Sequence, residues 1–261
     1  MTGNATPSPT GKGRLFLVPA PLDFGCDVQA PIADVLPQAT LAAAAALTHW
    51  VCENAKTARA CLKRIGELHP LALPLQQQQI VEMPRELHKK GDTGAGFDAR
   101  PLLQAALQGQ DIGLISEAGM PAIADPGASV VRAAHDLGLE VVPLVGPSSL
   151  LLALAASGLN GQNFAFVGYL PQDAALRLQR IRELGSLALK GGQSQLFIET
   201  PYRNAALFAA LLQALQPNTR LSVSTGLTMA GAFTRSLTVK AWKQEKERTV
   251  MDGPAVFAIG R

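Results

Sequence analysis

Three cysteines in 261 residues, Cys26, Cys52 and Cys61, are too few and too scattered for a disulfide framework, and no Cys-x-x-Cys pair offers half of a zinc site. Reduced thiols in a cytosolic protein are therefore expected. The four histidines, His49, His69, His88 and His135, share no metal-ligand spacing either, so no metal site is expected. A glycine-rich phosphate loop is also missing. After the first apolar run, 14–19, comes Ala20-Pro21-Leu22-Asp23-Phe24-Gly25, with one glycine where an anion cradle needs several. That excludes a dinucleotide or P-loop site there. Nor is there an uninterrupted greasy run: the longest, 139–156, is broken by Pro143, Gly146, Pro147, Ser148 and Ser149, which makes it strand, turn and helix and not a membrane span. Residues 1–13 lack the apolar centre of a signal peptide and read as a disordered tail, so a cytoplasmic location is expected. A formal charge of +3 permits an RNA or acidic partner without arguing for one.

What is present describes a well-filled globular chain. Hydrophobic residues make up 48% and charged residues 16%, enough for an ample core, and the length suits one large domain or two of ordinary size. Apolar runs alternate with helical patterns through the first half. The run Arg14-Leu15-Phe16-Leu17-Val18-Pro19 predicts a buried strand, the alanines near 46 a helix, and 49–53 a second strand. Asn54 is placed to cap a helix running to about Ile65, with Ala58, Cys61, Leu62 and Ile65 as its apolar face. The stretch 75–96 reads mostly as loop, with a strand near Leu71, and Pro101 opens a short helix ending at Gly109.

The chain is organised around residues 111–127. Ile112–Ile115 has the character of a buried strand, and Ser116-Glu117-Ala118-Gly119-Met120-Pro121 comes next with small residues that leave backbone exposed. Asp125 before Pro126 reads as a helix N-cap with proline at the first helical position. Val130, Ala134 and Leu137 mark one helix face, and Gly138 stands where a C-cap glycine belongs. Ligands of open α/β sheets sit beyond the carboxyl ends of the strands, so this loop is the first place to look for one.

The second half repeats strand and helix from Phe164 onward, then turns to consecutive strands at 221–224, 236–240 and 255–259 with no helix expected between them. That change predicts a separate α/β domain with some antiparallel pairing. The Asn-Gly-Gln turn at 159–162 is read as the boundary, giving α/β domains over 14–160 and 161–261.

Three motifs, 115–121 with Asp125-Pro126-Gly127, then Val142-Pro143-Leu144-Val145-Gly146-Pro147-Ser148-Ser149, then Phe166-Val167-Gly168-Tyr169-Leu170-Pro171, together resemble the SAM-dependent tetrapyrrole methylase superfamily. The nearest branch is similar to the small-subunit ribosomal RNA ribose 2′-O-methyltransferases, and the resemblance runs from Arg14 to about Ile259. It implies two α/β domains, a homodimer, and S-adenosylmethionine (SAM) held between the domains by loops that are largely backbone. The contacts it implies fall on Ser116, Glu117, Ala118, Gly119, Met120 and Ala122, on Pro147 and Ser148, and around Phe197, Ile198, Pro254 and Ala255.

The departures concern the acceptor side. The ribosomal branch has Pro-Thr-Pro-Ile-Gly-Asn where this chain has Pro19 to Phe24, and Glu-Asp-Thr-Arg where it has Glu53-Asn54-Ala55-Lys56. Its Arg-Glu-Leu-Thr-Lys stands here as Thr225-Gly226-Leu227-Thr228-Met229, without the charges. A divergent methyltransferase is therefore expected, its acceptor open and RNA among the candidates. The alternative is a SAM-binding sensor or scaffold that has lost catalysis. Glu117, Glu53 and Glu199, each in the central loop or at a strand end, are the catalytic candidates, set against capping or structural roles. Arg203 is read either as an anion-binding group or as support for its helix, and Arg177, Arg180 and Arg182 as an RNA-facing patch or a solvated helix face.

Overall fold

The computed structural model describes residues 11–23, 25–26, 28–84, 97–245 and 253–261. Residues 1–10 of the expected tail, Phe24 and His88 lie outside these; the end of that tail is packed instead, with the buried Gly13 donating its amide to the Ala106 carbonyl at 2.7 Å. The chain divides into two units, one of residues 1–25 and 30–147, the other of 26–29 and 148–261.

In the first unit, five parallel strands, β1 (Leu15–Val18), β2 (His49–Cys52), β3 (Gln79–Glu82), β4 (Ile112–Ile115) and β5 (Val141–Pro143), lie in the order β3-β2-β4-β1-β5. Parallel strands need crossover connections, and the helices α1 (Gln38–Ala46), α2 (Ala55–Gly66), α3 (Gln104–Leu107) and α4 (Ala128–Asp136) stand between them. The central strands are apolar but for His49 at the start of β2, because both faces are covered. Phe16, Val18, Trp50, Cys52 and Ile115 pack with Leu41, Leu62 and Ile65 on one face. Leu15, Val51, Ile112 and Leu114 pack with Leu103, Val130 and Ala134 on the other. Gly113 has no room for a side chain, since a Cβ there would stand 2.4 Å from the Trp50 ring. Asn54 caps α2 as the sequence indicates, its side chain accepting from the Lys56 amide.

In the second unit, β6 (Phe164–Tyr169), β7 (Ser194–Glu199), β8 (Arg220–Thr225), β9 (Phe233–Thr238) and β10 (Ala255–Gly260) form a sheet in the order β6-β7-β10-β8-β9. Only β6 and β7 are parallel; the other pairs are antiparallel. Helices α6 (Ala174–Gly191) and α7 (Asn204–Ala214) cover one face through Ile181, Leu184, Leu207 and Leu211 against Phe197, Phe257, Leu221 and Val223. The helix α5 (Ser149–Ser157) covers the other, burying Leu150, Ala153 and Leu154 on Leu196, Val256 and Ala258.

Four expectations are corrected. The division falls at 147/148 and not at 159–162, because the apolar face of α5 is buried on the second sheet; the Asn-Gly-Gln turn is a connection inside that unit. A strand occurs at 79–82 within the stretch read as loop, and none forms near Leu71. A helix, α8 (Val239–Gln244), comes after β9, capped by the Thr238 side chain. Finally, α4 starts after Gly127, with no side-chain cap, so Asp125 is free of the role its sequence position suggested.

Candidate functional site

In the first sheet β2 and β4 are neighbours and end at the same level, Cys52 beside Ile115. The segments beyond the two strand ends are thereby brought together: Glu53 from β2, residues 116–127 from β4, and Thr57 from the first turn of α2. The loop after β4 is shaped by its own backbone. Ser116 Oγ donates to the Gly119 carbonyl at 3.0 Å, and Gly119 exchanges both backbone hydrogen bonds with Ala20 at 2.9 Å each. Gly119 has φ +75°, and a Cβ there would lie 3.2 Å from Leu22 Cδ2. A bulky residue at 119 therefore strains the fold as well as any contact made there. Ala122 and Ala124, with φ of 65° and 66°, also hold left-handed backbone, at about 1 kcal/mol or more each.

The loop leaves alternate backbone amides uncommitted. Among the described residues, Ala118, Met120 and Ala122 are half-buried, and their amides donate to no protein acceptor. Backbone amides in such a setting take water or a ligand. Three of them, two on alanines, fit a ligand rich in oxygen and nitrogen acceptors, such as the carboxylate, ribose and adenine of an adenosyl amino acid.

Beside this loop stand three carboxylates. Glu53 is 8% exposed and receives one long hydrogen bond, 3.3 Å, from the Glu117 amide. Burial pushes its pKa up to about 8, with repulsion from Asp125 and Glu117 adding to this and the Glu117 amide opposing it. Asp125 is pushed up to about 7, by burial first and then by Glu117. Thr57 Oγ1 lies 2.9 Å from the Asn54 carbonyl and 3.3 Å from Glu117 Oε1, so its one proton favours the carbonyl and leaves Glu117 lightly held. No salt bridge reaches any of the three among the described residues. A carboxyl whose pKa lies near neutrality can take up and release a proton under working conditions. Asp125 is the member that sequence reasoning missed: the Asp-Pro signal pointed to a cap and hid it.

The candidates in the second unit form their own group. Register places Ala255 opposite Glu199, Val256 opposite Ile198 and Phe257 opposite Phe197, so Pro254, Ala255, Ile198 and Glu199 share one end of the sheet. Phe197 is fully buried and stacked on Phe257 at 5.9 Å, so its side chain belongs to the core. Glu199 is likewise engaged. Its Oε1 accepts from the Thr200 amide at 2.7 Å, Thr200 Oγ1 at 3.2 Å, and Arg203 Nε and Nη2 at 2.9 and 2.8 Å. These bonds make Glu199 one half of a turn-forming ion pair with Arg203, which stands at the start of α7. Pro147 lies at the end of the first unit, its carbonyl 3.6 Å from a Cβ placed at 119, and Ser148 opens α5 without a side-chain cap bond. Arg180 pairs with Glu183 and Arg177 reaches the Gln172 carbonyl, both contacts local to α6.

A cavity of about 160 Å³ lies elsewhere, lined by His49, Trp50, Gln79, Pro101, Leu102 and Ile112 among others. His49, Gln79 and Ile112 begin their strands, so the cavity sits at the edge of the sheet opposite the loop. Among the described residues no group of three or more His, Cys, Asp or Glu is placed to hold a metal ion.

Comparison with known proteins agrees with this arrangement. A family model described as Tetrapyrrole (Corrin/Porphyrin) Methylases matches residues 36–241. A protein of Mesorhizobium japonicum named ribosomal RNA small subunit methyltransferase I is 32% identical over 228 residues, covering 87% of this chain and 68% of the relative. A Vibrio cholerae protein of the same name is 29% identical, covering 87% and 69%. Among solved structures, the methyltransferase CobJ matches with a TM-score of 0.54 at 17% identity, covering 95% of this chain and 94% of that one. The uroporphyrin III C-methyltransferase of Thermus thermophilus matches with a TM-score of 0.52 at 17% identity, covering 95% and 98%. These structures share the fold.

Proposed function

The chain belongs to the tetrapyrrole (corrin/porphyrin) methylase family, and on that premise we propose that it transfers the methyl group of SAM, which it seats on the loop 116–122. The observation that carries this is the set of uncommitted amides at Ala118, Met120 and Ala122 beyond the carboxyl end of a central parallel strand. Bound there, SAM supplies an electrophilic methyl group on a sulfonium. The chain's own task is mostly positioning, because transfer is an in-line displacement. Gly119 lets the backbone come close, Ser116 and Ala20 hold the loop in shape, and Ile198, Pro254 and Ala255 are proposed as further contacts. Glu117 is proposed to receive the proton that a hydroxyl acceptor must release, with Glu53 beside it as a carboxyl that keeps its own proton until about pH 8.

Titration calorimetry with SAM and with S-adenosylhomocysteine (SAH) tests the seat. Saturable binding of either below millimolar concentration is expected, and it is expected to vanish in Gly119→Val, which also loses stability. No binding of either ligand by the parent protein would overturn the reading.

The acceptor class proposed is RNA. Its support is the name of the relatives at about 30% identity and the basic residues of α6. The loop 225–229 has no ionisable side chain, so a site other than the one those relatives methylate is proposed. Labelled SAM incubated with RNA, protein and small-molecule fractions from cells lacking the gene is expected to mark RNA. Label in the protein or small-molecule fraction alone would assign the acceptor elsewhere.

A further inference from the structure

A buried ion pair stands behind the segment that faces Gly119. Asp23 is 3% exposed and accepts from both terminal nitrogens of Arg64, Nη1 to Oδ1 at 3.1 Å and Nη2 to Oδ2 at 3.0 Å. Nη2 also donates to the Ala30 carbonyl at 2.7 Å. One guanidinium on the last turn of α2 therefore clasps two points of the connection between β1 and α1. Three residues before Asp23, Ala20 makes its paired backbone bonds with Gly119; one residue before it, Leu22 Cδ2 lies 3.2 Å from where a Cβ at Gly119 would stand. The route from Arg64 to the loop is thus four residues of chain, 20–23, pinned at both ends.

Stability is a poor reason for such a pair. Removing two charges from water offsets most of their attraction, and apolar substitutes often serve as well. What a forked guanidinium does supply is fixed geometry, with three donor directions set at once. We infer that Arg64 and Asp23 are positioning residues for the methyl donor: they hold Ala20 and Leu22 against Gly119 and so fix where the amides of Ala118 and Met120 point. This rests on the reading of 116–122 as the cofactor's seat.

A second pair in the same unit provides the control. Arg14 Nη2 lies 2.8 Å from Asp111 Oδ2, and both residues precede their strands, at the edge of the sheet away from the loop. The experiment compares Asp23→Asn, Arg64→Lys and Arg14→Lys by SAH calorimetry well below each melting temperature, with hydrogen exchange at the Gly119 and Ala20 amides. Misplacing a binding group by a fraction of an ångström is expected to weaken SAH binding about tenfold or more in Asp23→Asn and Arg64→Lys, with faster exchange at both amides. Arg14→Lys is expected to lose stability while its affinity stays within about twofold of the parent. Asp23→Asn and Arg64→Lys proteins that melt earlier yet bind SAH like the parent would overturn the inference. If Asp23→Asn does not fold, Arg64→Lys, which keeps a cation beside the carboxylate, decides. If the parent itself binds no SAH, the cofactor reading fails separately, and exchange at Gly119 decides: faster in the clasp variants alone supports the positioning role, and unchanged overturns it.

Discussion

Glu53 directly follows the last residue of β2, and Glu199 is the last residue of β7; they are 8% and 6% exposed. Residue type, burial and place at a strand end are the same, yet their surroundings differ completely. Glu199 has an arginine one helical turn ahead and four donors on a single oxygen. Glu53 has one long hydrogen bond from an amide, and its charged neighbours Asp125 and Glu117 repel it. Burial raises the cost of a charge; partners decide whether the charge is kept. The same acid is therefore part of a turn in one unit and a proton-holding group in the other.

The largest expected effect breaks this contrast if it is wrong. Glu199→Ala leaves the Arg203 guanidinium without its partner, with that side chain 23% exposed, and removes the acceptor that orders Thr200. A loss of about 2–4 kcal/mol in urea unfolding is expected, at the lower side of what breaking a buried pair costs because Arg203 reaches some water. SAH affinity per folded molecule is expected to hold. A variant that keeps its stability and loses methyl transfer would return Glu199 to the catalytic list.

How much of this was legible in the sequence depends on which forces act locally. The strand Ile112–Ile115, the Asn54 cap and the Gly138 stop of α4 are written in neighbouring residues, and they stand as read. The loop 116–122 was legible as backbone-rich because its residues are small. The unit boundary was not, since nothing in Leu150 or Leu154 says which sheet buries it. The edge strand β3 carries Ile80 and Val81 between glutamine and glutamate, too little alternation to register. Phe197 and Ile198 are adjacent, and only the register against β10 shows that Phe197 faces the core. Asp23 and Arg64 are 41 residues apart, and Asp125 reaches Glu53 only through the fold.

The smaller effect sharpens the comparison through pH. The folded state holds the Glu53 proton until about pH 8, whereas an unfolded chain releases it near 4.3. Between those values the folded state binds more protons than the unfolded one, so this contribution to stability is complete below about pH 4 and is lost as pH rises through 8. Asp125, raised to about 7, acts in the same direction over a slightly lower window. Glu53→Gln keeps the shape and cannot ionise. It is expected to differ little from the parent near pH 5 and to be more stable by about 1–2 kcal/mol at pH 9, a figure discounted for water reaching the cluster. Asp125→Asn removes the repulsion that ranks second to burial, so the Glu53 pKa should move down and the parent's slope should flatten between pH 6 and 8, with a smaller change than Glu53→Gln. Urea unfolding of the three proteins at pH 5, 7 and 9 gives the difference directly, because carboxylates elsewhere contribute equally to each. Parallel curves for parent and Glu53→Gln across that range would mean that Glu53 is charged when folded. It would then be open to receive a proton itself, and the contrast drawn from its lack of partners would fail.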